Sequence, residues 1–288
     1  MESYMNRISN TGIVPVVKIL EKEDAYPLAK ALLNGGIDVI EVTYRSEHAT
    51  SAIQTISEQL PDMLVGAGTV LSVEQAKEAV EAGAKFIITP GFNTKVVQWC
   101  LDHDVEVYPG VSTASEVEMA LSMGLTQLKF FPAESSGGAK KLKDLSAPYA
   151  NVHFMPTGGI NTKNMHDYLS LPNVEAIGGS FMLPNDLVVA KDWDGIEALS
   201  RSAIKSLLDF QLIHVGINTN SPEESKQVTD TLCSLFHFTQ YTKPKSNFAG
   251  VGFEVLHKKG RGENGHIGIY TPSVSYTHLR AHETRHDL

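Results

Sequence analysis

Three helix ends in this chain are written the same way. Ala31-Leu32-Leu33-Asn34-Gly35-Gly36, Ala79-Val80-Glu81-Ala82-Gly83 and Ala120-Leu121-Ser122-Met123-Gly124 each close an apolar helical pattern with glycine. Glycine takes the left-handed conformation that such a helix end requires. A strand-like run follows each within one to three residues, so the chain is built from repeated β/α units. Short apolar runs rich in Val, Ile and Phe predict eight strands: Ile13–Lys18, Ile37–Val42, Leu64–Ala67, Phe86–Thr89, Val105–Tyr108, Gln127–Phe131, Val152–Pro156 and Glu175–Gly178. Helical spacing follows, as in Asp24–Asn34, Val73–Ala82, Ser115–Met123 and Asn161–Leu171. Eight β/α units in about 200 residues fit a compact (β/α)8, or TIM, barrel of α/β class. A doubly wound open sheet is the alternative, but no Gly-x-Gly-x-x-Gly follows the first strand.

A barrel places its chemistry at the C-terminal ends of the strands. There the chain carries Glu41-Val42-Thr43-Tyr44-Arg45, Gly66-Ala67-Gly68-Thr69-Val70, Thr89-Pro90-Gly91, Pro109-Gly110, Lys129, Pro156-Thr157-Gly158-Gly159-Ile160 and Gly178-Gly179-Ser180. Lys129 stands out within the apolar run Leu128-Lys129-Phe130-Phe131-Pro132. Buried lysines are rare without a partner, and desolvation favours the neutral amine that attacks a carbonyl carbon to give a Schiff base. The plain alternative is a packed stem whose ammonium reaches solvent at the strand end.

Alternation puts Glu41 on the face of Val39 and Thr43. If that face is inward, its carboxylate shares the barrel with Lys129, either as an inert ion pair or as a proton shuttle beside a nucleophile. The glycine pairs after the seventh and eighth strands are either tight turns or the backbone donors with which barrels bind phosphate; their shared position favours phosphate.

The net charge of −9 argues against a nucleic-acid or anionic-membrane surface, so an anionic substrate needs local donors. Cys100 and Cys233, the two cysteines, have no metal or redox spacing. No apolar run has the length of a membrane span and no signal-peptide pattern opens the chain, so a cytoplasmic protein is expected.

Residues 1 to about 209 resemble the bacterial 2-keto-3-deoxy-6-phosphogluconate (KDPG) aldolase / 4-hydroxy-2-oxoglutarate (KHG) aldolase family. The resemblance is carried by Val14-Pro15-Val16, Glu41 to Arg45, Gly66 to Val70, Pro109-Gly110-Val111-Ser112-Thr113, Lys129-Phe130-Phe131-Pro132-Ala133-Glu134, Pro156 to Ile160 and Ile177-Gly178-Gly179-Ser180, in family order. Tyr44, where leucine is more usual, is a conservative departure. The resemblance implies a class I aldolase of phosphorylated 2-keto acids, with KHG as a second substrate. Lys129 would form the Schiff base and Glu41 would move protons. Arg45 and Thr69 would hold the carboxylate and Phe131 would wall the pocket. Thr157, Gly158, Gly159, Gly179 and Ser180 would bind the phosphate. It implies a homotrimer with no cofactor and no metal. The other readings are an aldolase of the galactonate epimer and a sugar-phosphate isomerase or epimerase using Glu41 as base.

From residue 210 the pattern changes. His214-Val215-Gly216-Ile217-Asn218, a helix over Glu223–Leu235, then Phe236–Thr239 resemble the opening βα of an incomplete βαβββ module of vicinal-oxygen-chelate (glyoxalase-like) proteins, over 210–273, and Phe253-Glu254-Val255 and Gly265-His266-Ile267-Gly268-Ile269 resemble its later strands. Positions like His214, Glu254 and His266 are ligands in metal-dependent members. With the second module cut off at its first strand, a working metal site is not expected. Residues 274–288 resemble a translated sequencing adaptor; His278, His282 and His286 only imitate a zinc-binding helix face, and the natural chain is expected to be longer.

Overall fold

A computed structural model describes residues 4–260 and 262–272. The segment from 273 onward, with the proposed artefactual tail and its histidines, lies outside the described residues. The chain forms two compact units, one running to Leu207 and the other from Leu208.

The first unit contains nine parallel strand segments: β1 (Ile13–Val17), β2 (Val39–Thr43), β3 (Leu64–Gly68), β4 (Phe86–Ile88), β5 (Glu106–Tyr108), β6 (Gly110–Val111), β7 (Gln127–Phe130), β8 (His153–Pro156) and β9 (Ile177–Gly179). Six run in the order β5-β4-β3-β2-β1-β9 and three as β6-β7-β8. β5 and β6 are one barrel strand interrupted at Pro109, which has no amide hydrogen for the ladder. A parallel bridge between Thr157 and Gly178 joins β8 to β9, so the sheet curls round into the expected (β/α)8 arrangement. At the break the backbones crowd: a Cβ on Gly110 would lie 2.2 Å from the Pro90 carbonyl oxygen.

Alternation along the strands divides the core in two. Val14, Val39, Leu64, Phe86, Tyr108, Met155 and Ala176 fill the barrel interior, and the outward face packs with the surrounding helices. Met5 and Ile8 of an N-terminal helix, Tyr4–Thr11, join that interior cluster. This helix was not read from the sequence, because its eight residues are mostly polar and its apolar positions are few. The helices between strands are stopped and started locally. Ser72 and Asn93 accept hydrogen bonds from the first-turn amides of their helices, and Thr113 with Glu116 forms a reciprocal capping box.

The helix expected over Asn161–Leu171 is shortened to Met165–Leu169. Asn161 and Asn164 side chains accept the amide hydrogens of Lys163 and Asn161, at 2.9 and 2.8 Å, offering the backbone a turn in place of helix.

The second unit is α+β. β10 (Gln211–Ile217) leads into a helix, Pro222–Phe236, and then β11 (Gln240–Lys243), β12 (Ser246–Ala249), β13 (Phe253–Leu256) and β14 (Gly265–Tyr270). The sheet order is β11-β12-β13-β10-β14, with β10 and β13 parallel and the other pairs antiparallel. Residues 236–239 form no strand. The helix continues through Phe236, His237 ends it at φ 56°, and the Phe236 and Phe238 rings stack 5.6 Å apart. Among the described residues no helix is long and apolar enough to cross a membrane.

Candidate active site

Lys129 and Glu41 meet inside the barrel. The Lys129 ammonium donates to both carboxylate oxygens of Glu41, at 3.1 and 3.3 Å, and the two side chains are only 5% and 0% exposed. The inward parity of Glu41 follows from Val39, two residues earlier in β2 and part of the interior cluster. Room for the carboxylate comes from Gly68 on the neighbouring strand: a Cβ there would lie 2.0 Å from Glu41 Oε1. Sequence reading singled out the Gly66-Ala67-Gly68-Thr69 segment but not this reason for its second glycine. The Phe131 ring centre lies 5.3 Å from Lys129 Nζ, a cation–π distance that places an apolar wall beside the amine.

The other expected residues ring the same end of the barrel. Arg45 donates through Nε to Thr43 Oγ1 at 3.1 Å, and Thr43 donates to the Val17 carbonyl at 2.7 Å. Thr43 is thus a supporting residue between Arg45 and β1. The adjacent Tyr44 hydroxyl pairs with Thr50 at 3.1 Å, and burial pushes its ionisation up. Thr69 follows β3 at φ 53°, a left-handed conformation that a β-branched side chain rarely adopts; such strain concentrates at functional sites.

After β8, Gly158 and Gly159 adopt φ of 106° and 80°, values natural to glycine. Backbone bonds from Ala133 N to the Thr157 carbonyl, 2.8 Å, and from Glu134 N to the Gly158 carbonyl, 3.1 Å, tie this turn to the segment that follows Lys129. Tyr168 donates its hydroxyl to Glu134 and braces the same junction; burial and the carboxylate hold the phenol neutral. Thr157 is buried, and Gly178 makes room for its hydroxyl, since a Cβ there would come within 2.2 Å of Oγ1. Gly179 is buried and Ser180 exposed at the end of β9.

Arg45 and Ser180 border a common cavity of about 200 Å³, and Lys18 borders it too. Lys18 was read only as the end of the first strand. Its signal was the same alternation used for Glu41: it shares a face with Val14 and Val16.

A separate cluster lies in the second unit. His214 on β10, Glu254 on β13 and His266 on β14 bring one ligand atom each within 4.8 Å of the others. The two Nε2 atoms are 3.0 Å apart, and Glu254 Oε2 lies 3.4 and 3.6 Å from them. Cross-strand glycines admit the rings. His214 faces Gly268 and His266 faces Gly216, and a Cβ on either glycine would lie within 2.4 Å of the ring opposite.

The family model described as "Aldolase: KDPG and KHG aldolase" matches residues 5–199. The 2-dehydro-3-deoxy-phosphogluconate aldolase of Treponema pallidum is 44% identical over 205 residues, covering 71% of this chain and 98% of that protein. The KHG/KDPG aldolase of Escherichia coli is 44% identical over 199 residues, covering 69% and 93%. Among solved structures, KDPG aldolase from Legionella pneumophila, captured with pyruvate as a covalent carbinolamine, superposes with a TM-score of 0.68 at 39% identity, covering 70% of this chain and 99% of that one. With a buried lysine–glutamate pair at the centre of a parallel β/α barrel and this match across its length, the chain belongs to the KDPG and KHG aldolase family.

Proposed function

We propose that the barrel cleaves 2-keto-3-deoxy-6-phosphogluconate to pyruvate and glyceraldehyde 3-phosphate, and 4-hydroxy-2-oxoglutarate to pyruvate and glyoxylate. The observation that carries the reading is the buried contact between Lys129 Nζ and Glu41. A structural ion pair in this position would still need explaining, since replacing such a pair with apolar groups is often neutral or stabilising.

In this reading Lys129 gives up a proton to Glu41 and its amine attacks the C2 ketone. The carbinolamine loses water, with Glu41 returning the proton to the departing hydroxyl. The iminium then accepts the electron pair of the C3–C4 bond while Glu41 takes the C4-hydroxyl proton, releasing the aldehyde. Glu41 next protonates C3 of the enamine, and water hydrolyses the pyruvate iminium to free Lys129. Arg45, with a planar fork of donors, and Thr69 hold the carboxylate. Phe131 walls the pocket, and Thr157, Gly158, Gly159, Gly179 and Ser180 hold the phosphate. A homotrimer, on the family resemblance alone, and a cytoplasmic location are part of the same proposal.

A coupled assay for pyruvate tests this reading against an isomerase or epimerase. Pyruvate released from either substrate supports it; interconversion of sugar phosphates without pyruvate would overturn it. Supplying the galactonate epimer in parallel separates the remaining alternative.

The second unit has its own reading, favoured by the spacing of His214, Glu254 and His266. Donors held 2.0–2.1 Å from one tetrahedral ion lie about 3.3 Å apart. Their separations of 3.0, 3.4 and 3.6 Å bracket that value. We propose that these three side chains hold a divalent transition metal, despite the truncated ligand set read from the sequence. Calorimetric titration of chelator-treated protein with zinc should give one site that His214→Ala removes; equal binding by both proteins would assign the metal elsewhere.

A further inference from the structure

The phosphate subsite proposed above is made of neutral donors. Thr157, Gly158, Gly159, Gly179 and Ser180 include no cation. A phosphate monoester carries between one and two negative charges near neutral pH, with a second pKa of about 6. The chain as a whole is negative, so it offers no background field to compensate. Of the cations assigned at this end of the barrel, Lys129 is engaged by Glu41 and Arg45 is committed to the carboxylate. A charge for the phosphate is missing from the assignment.

Strand register locates a candidate. β1 runs beside β9 with Val14 opposite Gly178 and Pro15 opposite Gly179, so the next step sets Val16 level with Ser180. On its other side β1 has Val17 opposite Val42, so the next step sets Lys18 level with Thr43. Lys18 therefore stands at the barrel end between Ser180 and Arg45. It shares the face of Val14, an interior residue, and borders the cavity that Arg45 and Ser180 also border. Lys18 is exposed and has no carboxylate partner among the described residues. Two residues of strand span about 6.6 Å, which a lysine side chain reaches across.

We infer that Lys18 is a specificity-determining residue whose ammonium pairs with the distal phosphate of the substrate beside Ser180. This rests on the reading of the barrel as an aldolase of phosphorylated 2-keto acids. A compact ammonium on a flexible stem suits a phosphate near solvent, whereas the planar fork of Arg45 suits the carboxylate. Lys18 takes no part in forming or breaking the Schiff base. Its contribution falls on binding of the phosphorylated substrate and weakens with salt.

The test is the pair Lys18→Met and Lys18→Arg, assayed on KDPG and on 4-hydroxy-2-oxoglutarate. Lys18→Met should raise KM for KDPG about tenfold more than KM for 4-hydroxy-2-oxoglutarate, as expected for loss of one hydrogen bond between charged groups, with kcat on KDPG held. Lys18→Arg should recover most of that selectivity. Inorganic phosphate should inhibit cleavage of 4-hydroxy-2-oxoglutarate, and about tenfold less strongly in Lys18→Met. Equal KM changes on both substrates, no change on either, or undiminished phosphate inhibition would each overturn the assignment. Failure of the aldolase reading registers separately, as no pyruvate from either substrate with the unsubstituted chain. Calorimetry with inorganic phosphate would then decide the Lys18 claim: weaker binding by Lys18→Met supports it, and equal binding overturns it.

Discussion

Lys129 Nζ lies 3.1 Å from Glu41 Oε1, although the two residues are 88 positions apart and sit on strands that do not neighbour each other. The barrel itself brings them together, from β7 and β2 facing across its interior. Both side chains are buried and share a hydrogen bond, so a proton can pass directly between them. That proximity lets one carboxylate serve the successive proton transfers of the proposed Schiff-base cleavage.

Glu41→Gln keeps the shape of the side chain and removes its capacity to carry a proton. Turnover should fall by roughly 10²–10⁴-fold, the usual contribution of a general acid–base group. Steady-state kcat on either substrate checks this. A near-normal rate would mean that water or another residue moves the protons.

Gly68→Ala is a remote test of the same geometry. The added methyl would lie 2.0 Å from Glu41 Oε1 and 2.4 Å from its Cγ, so the carboxylate has to move. A displacement near 1 Å at a catalytic group costs about 10²-fold. We expect kcat to fall by about that factor, with circular dichroism unchanged. Unaltered kcat would show that the position of Glu41 is not what limits the rate.

How much of this was legible before the fold was known follows from what kind of signal each part leaves. Lys129 is a charge in an apolar strand, and Glu41 shows its inward face by alternation with Val39; both can be read from a single line of sequence. The barrel was legible because glycine-stopped helices and short apolar strands repeat. Gly68 was read as strand-end chemistry, while its steric purpose depends on a neighbouring strand. Lys18 needed the β1–β9 register. The helix Tyr4–Thr11 carries too few apolar residues for periodicity to find it. The shortened helix at Met165–Leu169 was lost to local asparagine bonds that compete with helix. His214 and His266 were grouped by the glyoxalase-like resemblance, and the antiparallel register of β10 and β14 brings them together in space.

Ser180→Asp places a negative charge where the substrate phosphate is proposed to sit. Like-charge repulsion and loss of the hydroxyl donor act together. The ratio of kcat/KM for KDPG to that for 4-hydroxy-2-oxoglutarate should drop by at least about tenfold. Parallel losses on the two substrates would instead indicate general damage at the end of β9.

A chain ending at Asp209 should retain aldolase activity. Every residue assigned to the chemistry precedes that point, and the first compact unit ends at Leu207. The removed sheet exposes Leu212, Ile267 and Ile269, each more than 60% accessible, so solubility should improve on truncation. Loss of activity in a folded, truncated protein would mean that the second unit supports the barrel or its assembly.

Borohydride trapping with pyruvate, followed by peptide mass spectrometry, tests the central claim most directly. Reduction of the iminium should leave one pyruvate-derived adduct on the protein, mapped to Lys129, and Lys129→Ala should abolish both the adduct and cleavage while the circular dichroism spectrum stays unchanged. An adduct at a different lysine, or cleavage that survives in Lys129→Ala, would contradict the account.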